Sequence, residues 1–293
     1  MTATAASEEV NRSSRWFPRR SPSSVWRDRV VIVTSAFIFL LVCVALFAPL
    51  IARQNPDTSN ILAGNQGPSA THWLGTDSFG EDLFSRLVYG ARLSLLGPAL
   101  IIVIATTFGT VLAIAAAWFG GIFDQVVSRV ADILFAFPGL ILAMLSVAMF
   151  GPGLIAPVIA LSISYTPYLM RVIRAEAIRQ RNLPYIAACY VEGLPARTIC
   201  RRHLLPNVGP LLLVQATLSF GYALVDLAAI SYLGLGVQPP TPEWGLMVST
   251  GQSSILAGYP QESLFAGAVI VLTVVAFNLL GDRLASHRGI DRI

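Results

Sequence analysis

The sequence predicts an all-α integral membrane protein with six transmembrane helices and both termini in the cytosol. Three observations carry this. Of the 293 residues, 55% are hydrophobic and only 12% charged, about half the ~25% charged content of a soluble domain. Uncharged runs recur at the ~20 residues a helix needs to cross a ~30 Å hydrocarbon core. Once the spans are drawn, 17 of the 20 arginines fall on one side, the asymmetry that keeps basic loops in the cytosol.

The mean hydropathy of +0.66 excludes disordered, collagen-like and disulfide-scaffold classes. All 20 basic residues are arginine and lysine is absent. The chain therefore cannot form a P-loop, whose lysine reaches the β/γ-phosphates, nor a Schiff base through lysine. Any ATP-driven step must use another polypeptide. Cys43, Cys189 and Cys200 are an odd set. Cys43 lies in an apolar run and the other two in a basic stretch, which reads as free thiols.

Residues 1–29 form a basic cytosolic tail, and residues 30–50 the first span. This apolar run is too long for a signal-peptide core, so an uncleaved span is expected despite Arg19-Arg20. Residues 51–92 form an external loop, with 83–88 spaced as an amphipathic interfacial helix in an otherwise solvated connector. The core, 93–282, holds five more spans. One lies in 93–119. Two share the uncharged stretch between Asp132 and Arg171, split at Gly151-Pro152-Gly153. One covers 208–225 and runs past Asp226, and the last covers 263–281. Residues 283–293 form a cytosolic tail.

Two loops are organised. Residues 183–206 read as two short cytosolic helices around a Glu192-Gly193-Leu194-Pro195 elbow. Pro184 opens the first, with Ile186, Cys189 and Tyr190 on one face, and Gly193 stops it. Pro195 opens the second, which Pro206-Asn207 ends. This elbow needs a partner surface or the underside of the bundle; contact of its arginines with anionic lipid is the alternative. Residues 233–262 carry Pro239, Pro240 and Pro242 and predict an ordered, partly re-entrant outer cap, with Trp244 and Tyr259 at the interface.

The motifs resemble a known family. "HWLGTDSFGEDLFSRLVYGARLSL" (72–95), "AFPGLILA" (136–143), "GLPARTICRRHLLPN" (193–207), "SYLGLGVQPPTPEWG" (231–245) and "LTVVAFNLLGD" (272–282) are similar to segments of dipeptide, oligopeptide and nickel ABC-importer permeases. The five occur in order over most of the chain. The resemblance implies the type I ABC importer permease fold and import of di- or oligopeptides. Nickel chelates, glutathione or haem are the alternative cargoes. It implies a sister permease in a heterodimer, two cytosolic ATPase subunits, an external substrate-binding protein and a surrounding lipid bilayer. It implies no nucleic acid, no catalytic residue or metal in this chain, and ATP and Mg bound only by partner subunits. Glu192, Gly193, Leu194, Pro195, Ala196 and Arg197 would then couple the permease to an ATPase.

The chain departs from the family twice. The usual Glu-Ala-Ala of the coupling loop is Ala187-Ala188-Cys189 here, with Glu192 the acid nearby. An acid expected nine residues before Gly236 is replaced by Leu227, with Asp226 one step earlier, about 100° round a helix.

Gln215, Ser219, Tyr222 and Asp226 form one polar stripe. It has two readings: a substrate path, with Asp226 pairing a peptide's amino end, or helix-packing contacts with Asp226 solvated at the interface. Cys200-x-x-His203 has metal-ligand spacing but no fourth ligand. An autonomous channel or secondary transporter is the competing class, and a membrane scaffold without transport a third. The channel or secondary-transporter reading leaves the cytosolic elbow without a role, and paired proton-relay residues are missing from the spans; dependence on separate ATPase subunits discriminates all three.

Overall fold

A computed structural model describes residues 28–288. Most of both tails, including Arg19-Arg20, lies outside the described residues. Among the described residues, nine helices of eight residues or more organise the fold: α1 Arg29–Leu46, α2 Leu83–Phe119, α3 Gly121–Phe135, α4 Gly139–Phe150, α5 Ile155–Arg181, α6 Pro184–Val191, α7 Leu205–Tyr232, α8 Trp244–Leu256 and α9 Gln261–Arg288. Among the described residues no strand forms; Thr76 and Asp82 make an isolated bridge. Among the described residues five helical segments are long and apolar enough to cross a membrane, and a bent α3–α4 pair makes up to six.

Local chemistry sets the helix starts. Asp28 caps α1 by accepting from the Val30 N–H at 2.9 Å. Asp82 caps α2 by accepting from the Ser85 N–H at 2.9 Å. Glu243 caps α8 through both carboxylate oxygens, which accept from the Gly245 and Leu246 N–H groups. Each satisfies donors that a helix start leaves open.

The structure differs from the sequence expectation in five places. First, residues 83–92 are not a separate interfacial helix. They are the opening turns of α2, a helix of 37 residues and therefore about 55 Å long. The helix runs on through Gly97-Pro98 into the span, and Leu83, Ser85 and Arg86 are buried. Second, the third span is a bent pair, with α3 and α4 meeting at 79°. Pro138 sits between them in extended backbone, where its ring and missing N–H stop α3. α4 has 12 residues, about 18 Å, too short to cross alone.

Third, Pro206-Asn207 does not end the second elbow helix. Ala196–Ile199 runs through a π turn, Cys200–Leu204, directly into α7. The Leu205 N–H reaches back to the Cys200 carbonyl. This wide turn relieves the carbonyl that the Pro206 ring would otherwise strike. Fourth, Trp244 is not an interfacial anchor; it is 1% exposed. Fifth, the end of the segment before α2 is not a solvated connector: Thr76, Asp77, Glu81 and Asp82 are buried around Arg86, while most of residues 51–73 are exposed.

Arg86 is 3% exposed. Its guanidinium pairs with Glu81, lies 3.6 Å from Asp77 and donates to the Pro56 carbonyl at 3.1 Å. Asp77 Oδ1 in turn accepts from the Phe79 and Glu81 N–H groups at 2.9 Å. Burial pushes the Asp77 carboxyl above its ordinary range, against the pull of the Glu81 N–H and the Arg86 charge. Ser59 donates to Glu81 at 2.7 Å. The Thr76 hydroxyl donates to the Ala63 carbonyl and accepts from the Gln66 N–H.

The core is held by small residues that let backbones approach, as membrane helices require. A Cβ on Gly245 would stand 2.5 Å from the Ala228 carbonyl oxygen, so α8 can lie on α7 only with glycine there. Three apolar clusters run along the bundle. One joins α2, α3, α5 and α7 around Ile173, Leu169 and Val208. A second joins α2, α4, α5 and α7 around Ile101, Leu161 and Leu227. The third packs Trp244 and Met247 of α8 on Leu83, Leu87 and Ala91 of α2.

Candidate functional site

The elbow between α5 and α7 is built by its own sequence. α6 begins at Pro184 and is capped at Glu192. Gly193 then takes φ +73°, the left-handed conformation that glycine adopts without a Cβ penalty. The Gly193 N–H donates to the Tyr190 carbonyl at 3.0 Å and the Leu194 N–H to the Cys189 carbonyl at 3.1 Å. These two bonds form a Schellman closure, which commonly carries an apolar contact between the same residues. Leu194 supplies it, packing on the buried cluster of Ile186, Cys189 and Ile199. Asn207 braces the far side, donating to the His203 carbonyl at 2.6 Å and the Tyr185 hydroxyl at 3.3 Å.

Of the six sequence-predicted elbow residues, Glu192, Gly193, Pro195, Ala196 and Arg197 are exposed, and Leu194 is half-buried in the elbow's own core. Ala187 and Ala188 are exposed on the same short helix, with Val191, an apolar side chain 90% exposed. Sequence reasoning passed over Val191. The available signal was its spacing: 184, 187, 188 and 191 repeat on the face opposite Ile186 and Cys189. Tyr190 is half exposed and leaves the Ile186–Cys189 face to stack on Trp118.

The polar stripe of α7 turns toward α5 at both ends. Asp226 Oδ2 accepts from the Tyr165 hydroxyl at 2.8 Å, and Gln215 Oε1 from the Tyr168 hydroxyl at 3.0 Å. Ser219, between them, is buried, while Tyr222 is 61% exposed. Asp226 is half-buried and tied across helices, so it is not a freely solvated interfacial acid. Tyr165 and Tyr168 were not legible beforehand, since nothing in their local sequence says which helix they face. At the arginine-rich end, the Arg174 guanidinium grips Asp124 with two N–H groups and Arg171 donates to Asp132 at 2.6 Å. These pairs tie α3 to α5. Among the described residues no group of histidine, cysteine and acidic side chains could hold a metal ion.

Comparison with known proteins gives the following. Residues 109–287 match the family described as binding-protein-dependent transport system inner membrane component. A dipeptide transport system permease protein, DppC, from Alkalihalophilus pseudofirmus is 41% identical over 258 residues, covering 88% of this chain and 84% of that one. A glutathione transport system permease protein, GsiD, from Pectobacterium atrosepticum is 37% identical over 262 residues, covering 88% and 86%. Among solved structures, an inward-facing MetNI methionine ABC transporter matches at a TM-score of 0.53 and 21% identity, covering 72% of this chain and 97% of that one. An amino acid ABC transporter crystallised with histidines matches at a TM-score of 0.51 and 20% identity, covering 70% and 94%. At these identities the two structures speak to the fold alone. With a family match over more than half its length, and full-length relatives well above 30% identity, this multi-pass inner membrane chain belongs to the permease components of ABC importers, which transport alongside ATPase and substrate-binding partners and are not themselves enzymes.

Proposed function

We propose that this chain carries peptides of dipeptide to glutathione size into the cytosol as one half of a heterodimeric permease. The observation that supports the cargo is the shared identity along 88% of the chain with a dipeptide and a glutathione permease. The arginine-rich end faces the cytosol, which puts both termini and the elbow there. One of two ATPase subunits docks on Val191, Glu192, Gly193, Pro195, Ala196 and Arg197. A rigid-body displacement of that subunit on ATP binding rocks the attached spans. The sister permease covers the apolar face of α3–α5, where Leu145, Met149, Phe150, Ile155 and Ile159 line a cleft of about 690 Å³.

The test is purification of the tagged chain from its native membrane in mild detergent, with mass spectrometry of what accompanies it. A second permease and ATPase subunits are expected. A chain that emerges alone, in several detergents, would favour an autonomous transporter and defeat this reading. Gly193→Val sharpens the test. A Cβ there meets no atom of this chain, so valine protrudes into the space assigned to the ATPase and strains a φ of +73°. ATPase co-purification should fall at least tenfold while the melting temperature of the permease stays within a few degrees; retention at the wild-type level removes the elbow from the interface.

We assign Asp226 and Tyr165 to the substrate path; what supports this is the Tyr165 hydroxyl, which donates to the Asp226 carboxylate across the α5–α7 seam. Hydrogen bonds to charged groups are worth about 1.5–3 kcal/mol. Asp226→Asn is therefore expected to lower uptake of labelled dialanine or glutathione about tenfold or more, with subunit composition unchanged. Uptake kinetics equal to wild type for both solutes would return the stripe to helix packing.

A further inference from the structure

The elbow is fastened at three points. Two are the chain itself, into α5 through residues 182–183 and into α7 through the π turn. The third reaches a helix far away in sequence. Trp118 is the penultimate residue of α2. Its ring stacks on Tyr190 of the elbow, with centroids 5.6 Å apart and planes 18° from parallel. It also packs against the elbow's own core of Ile186, Cys189 and Ile199.

Arg181 completes the grip. Its guanidinium lies 5.7 Å from the Trp118 ring centroid and donates to the Ala117 carbonyl at 2.6 Å. The last carbonyls of a helix are open acceptors at the negative end of its dipole. α2 has no basic residue in its own last turn, so Arg181, the final residue of α5, supplies that charge. One end of α2 is thus held by the Ala117 carbonyl and by the Trp118 ring.

α2 then runs the full height of the bundle. At its other end Leu83 and Leu87 pack on Trp244 of α8, and the Leu87 carbonyl accepts from the Trp244 indole N–H at 2.9 Å. A single helix therefore bridges the elbow and the cap on the opposite side. Movement passed to α2 at Trp118 arrives under α8 without crossing a loop.

We propose that Trp118 is the positioning residue that hands displacement of the elbow to α2, with Tyr190 and Arg181 as its two grips. The proposal rests on the elbow being where an ATPase subunit docks. The two covalent connections carry the motion to α5 and α7, on which α2 already packs in the bundle core, and the Trp118 joint fastens the last turn of α2 directly to the elbow, so that three spans move together without slip.

The experiment is a distance measurement in the complex assembled with cysteine-free partner subunits. Cys43, Cys189 and Cys200 are replaced by alanine, and spin labels are attached at Val111→Cys on α2 and Pro184→Cys on α6. ATP with vanadate is the probe, so no cargo needs to be known. With Trp118 present, and with Trp118→Phe, the distance should be the same before and after ATP–vanadate, because elbow and helix travel as one body. With Trp118→Ala it should shift or broaden by several ångströms on ATP–vanadate, while ATPase subunits stay bound at wild-type stoichiometry. An unchanged distance in Trp118→Ala overturns the proposal, since the covalent links would then suffice. A distance that already changes with Trp118 intact overturns it too. Failure of ATPase subunits to assemble on the Trp118-containing elbow is a different result, and it defeats the docking itself.

Discussion

Arg86→Met should destabilise the chain by about 3–5 kcal/mol, the cost of removing one partner from a buried ion pair. The guanidinium is the cation that Glu81 and Asp77 share, and all three side chains are nearly inaccessible. Glu262, at the start of α9, is buried as well and feels the charges of Asp77, Arg86 and Glu81. One of its oxygens accepts from the Thr250 hydroxyl, and the other has no hydrogen-bond partner. Without Arg86, three buried acids face one another with no counter-charge. The Pro56 carbonyl loses its donor at the same time. Thermal melting of the purified chain in detergent should drop by on the order of 10 °C. The double change Arg86→Met with Glu81→Gln should recover part of that loss, because it removes an uncompensated charge. A single variant melting with the wild type would mean that water reaches this cluster and that its burial is wrong.

Trp244→Ala comes next in size, at about 3–5 kcal/mol for truncating a fully buried tryptophan. The ring fills the space between α2, α8 and α9, against Leu83, Leu87 and Ala266. Close packing against the helix backbone adds to this, since a Cβ on Gly90 would stand only 3.1 Å from the indole. The indole N–H meets the Leu87 carbonyl, and the Trp244 N–H meets the Ser94 hydroxyl, which itself donates to Glu243. Trp244→Phe keeps most of the apolar area and gives up one hydrogen bond, so about 1 kcal/mol is expected. Melting temperature orders the three proteins. Limited proteolysis supplies a second reading: cleavage within residues 233–262 should rise sharply for alanine and little for phenylalanine. Equal protease resistance for all three would show that α8 is held without its tryptophan.

Both predictions fall on residues whose surroundings were not legible in the sequence. Arg86 read as a polar residue on an interfacial helix, because three and four residues of spacing around it are apolar. That pattern is the same whether the apolar face meets lipid or the rest of the protein. Trp244 read as an interfacial anchor because an aromatic ring beside a span suits the headgroup belt, and it suits a buried core as well. The spans illustrate the difficulty: Phe39 on α1 is 70% exposed and Ile101 on α2 is fully buried, yet both sit in equally apolar runs. Lipid accepts an apolar side chain as readily as the core does, so hydropathy locates a membrane helix without saying which face packs.

What the sequence by itself determined was local. Long uncharged runs marked five of the spans, arginine placement set the expected orientation, and the absence of lysine set the expectation that ATP is hydrolysed by other subunits. Gly193 between two proline-started helices fixed the elbow, because only a residue without Cβ turns the chain there at no steric cost. Tertiary structure decided everything that needs two distant segments to meet. Pro138 bends the third span but does not say toward what. Pro206 marks a helix boundary in sequence, yet the chain passes through it by widening one turn. Asp226 finds Tyr165, and Trp118 finds Tyr190, across 61 and 72 residues. Such pairings depend on the rotation and depth of whole helices, which are set by small-residue packing such as Gly245 on Ala228 and leave no periodic trace in either partner's own sequence.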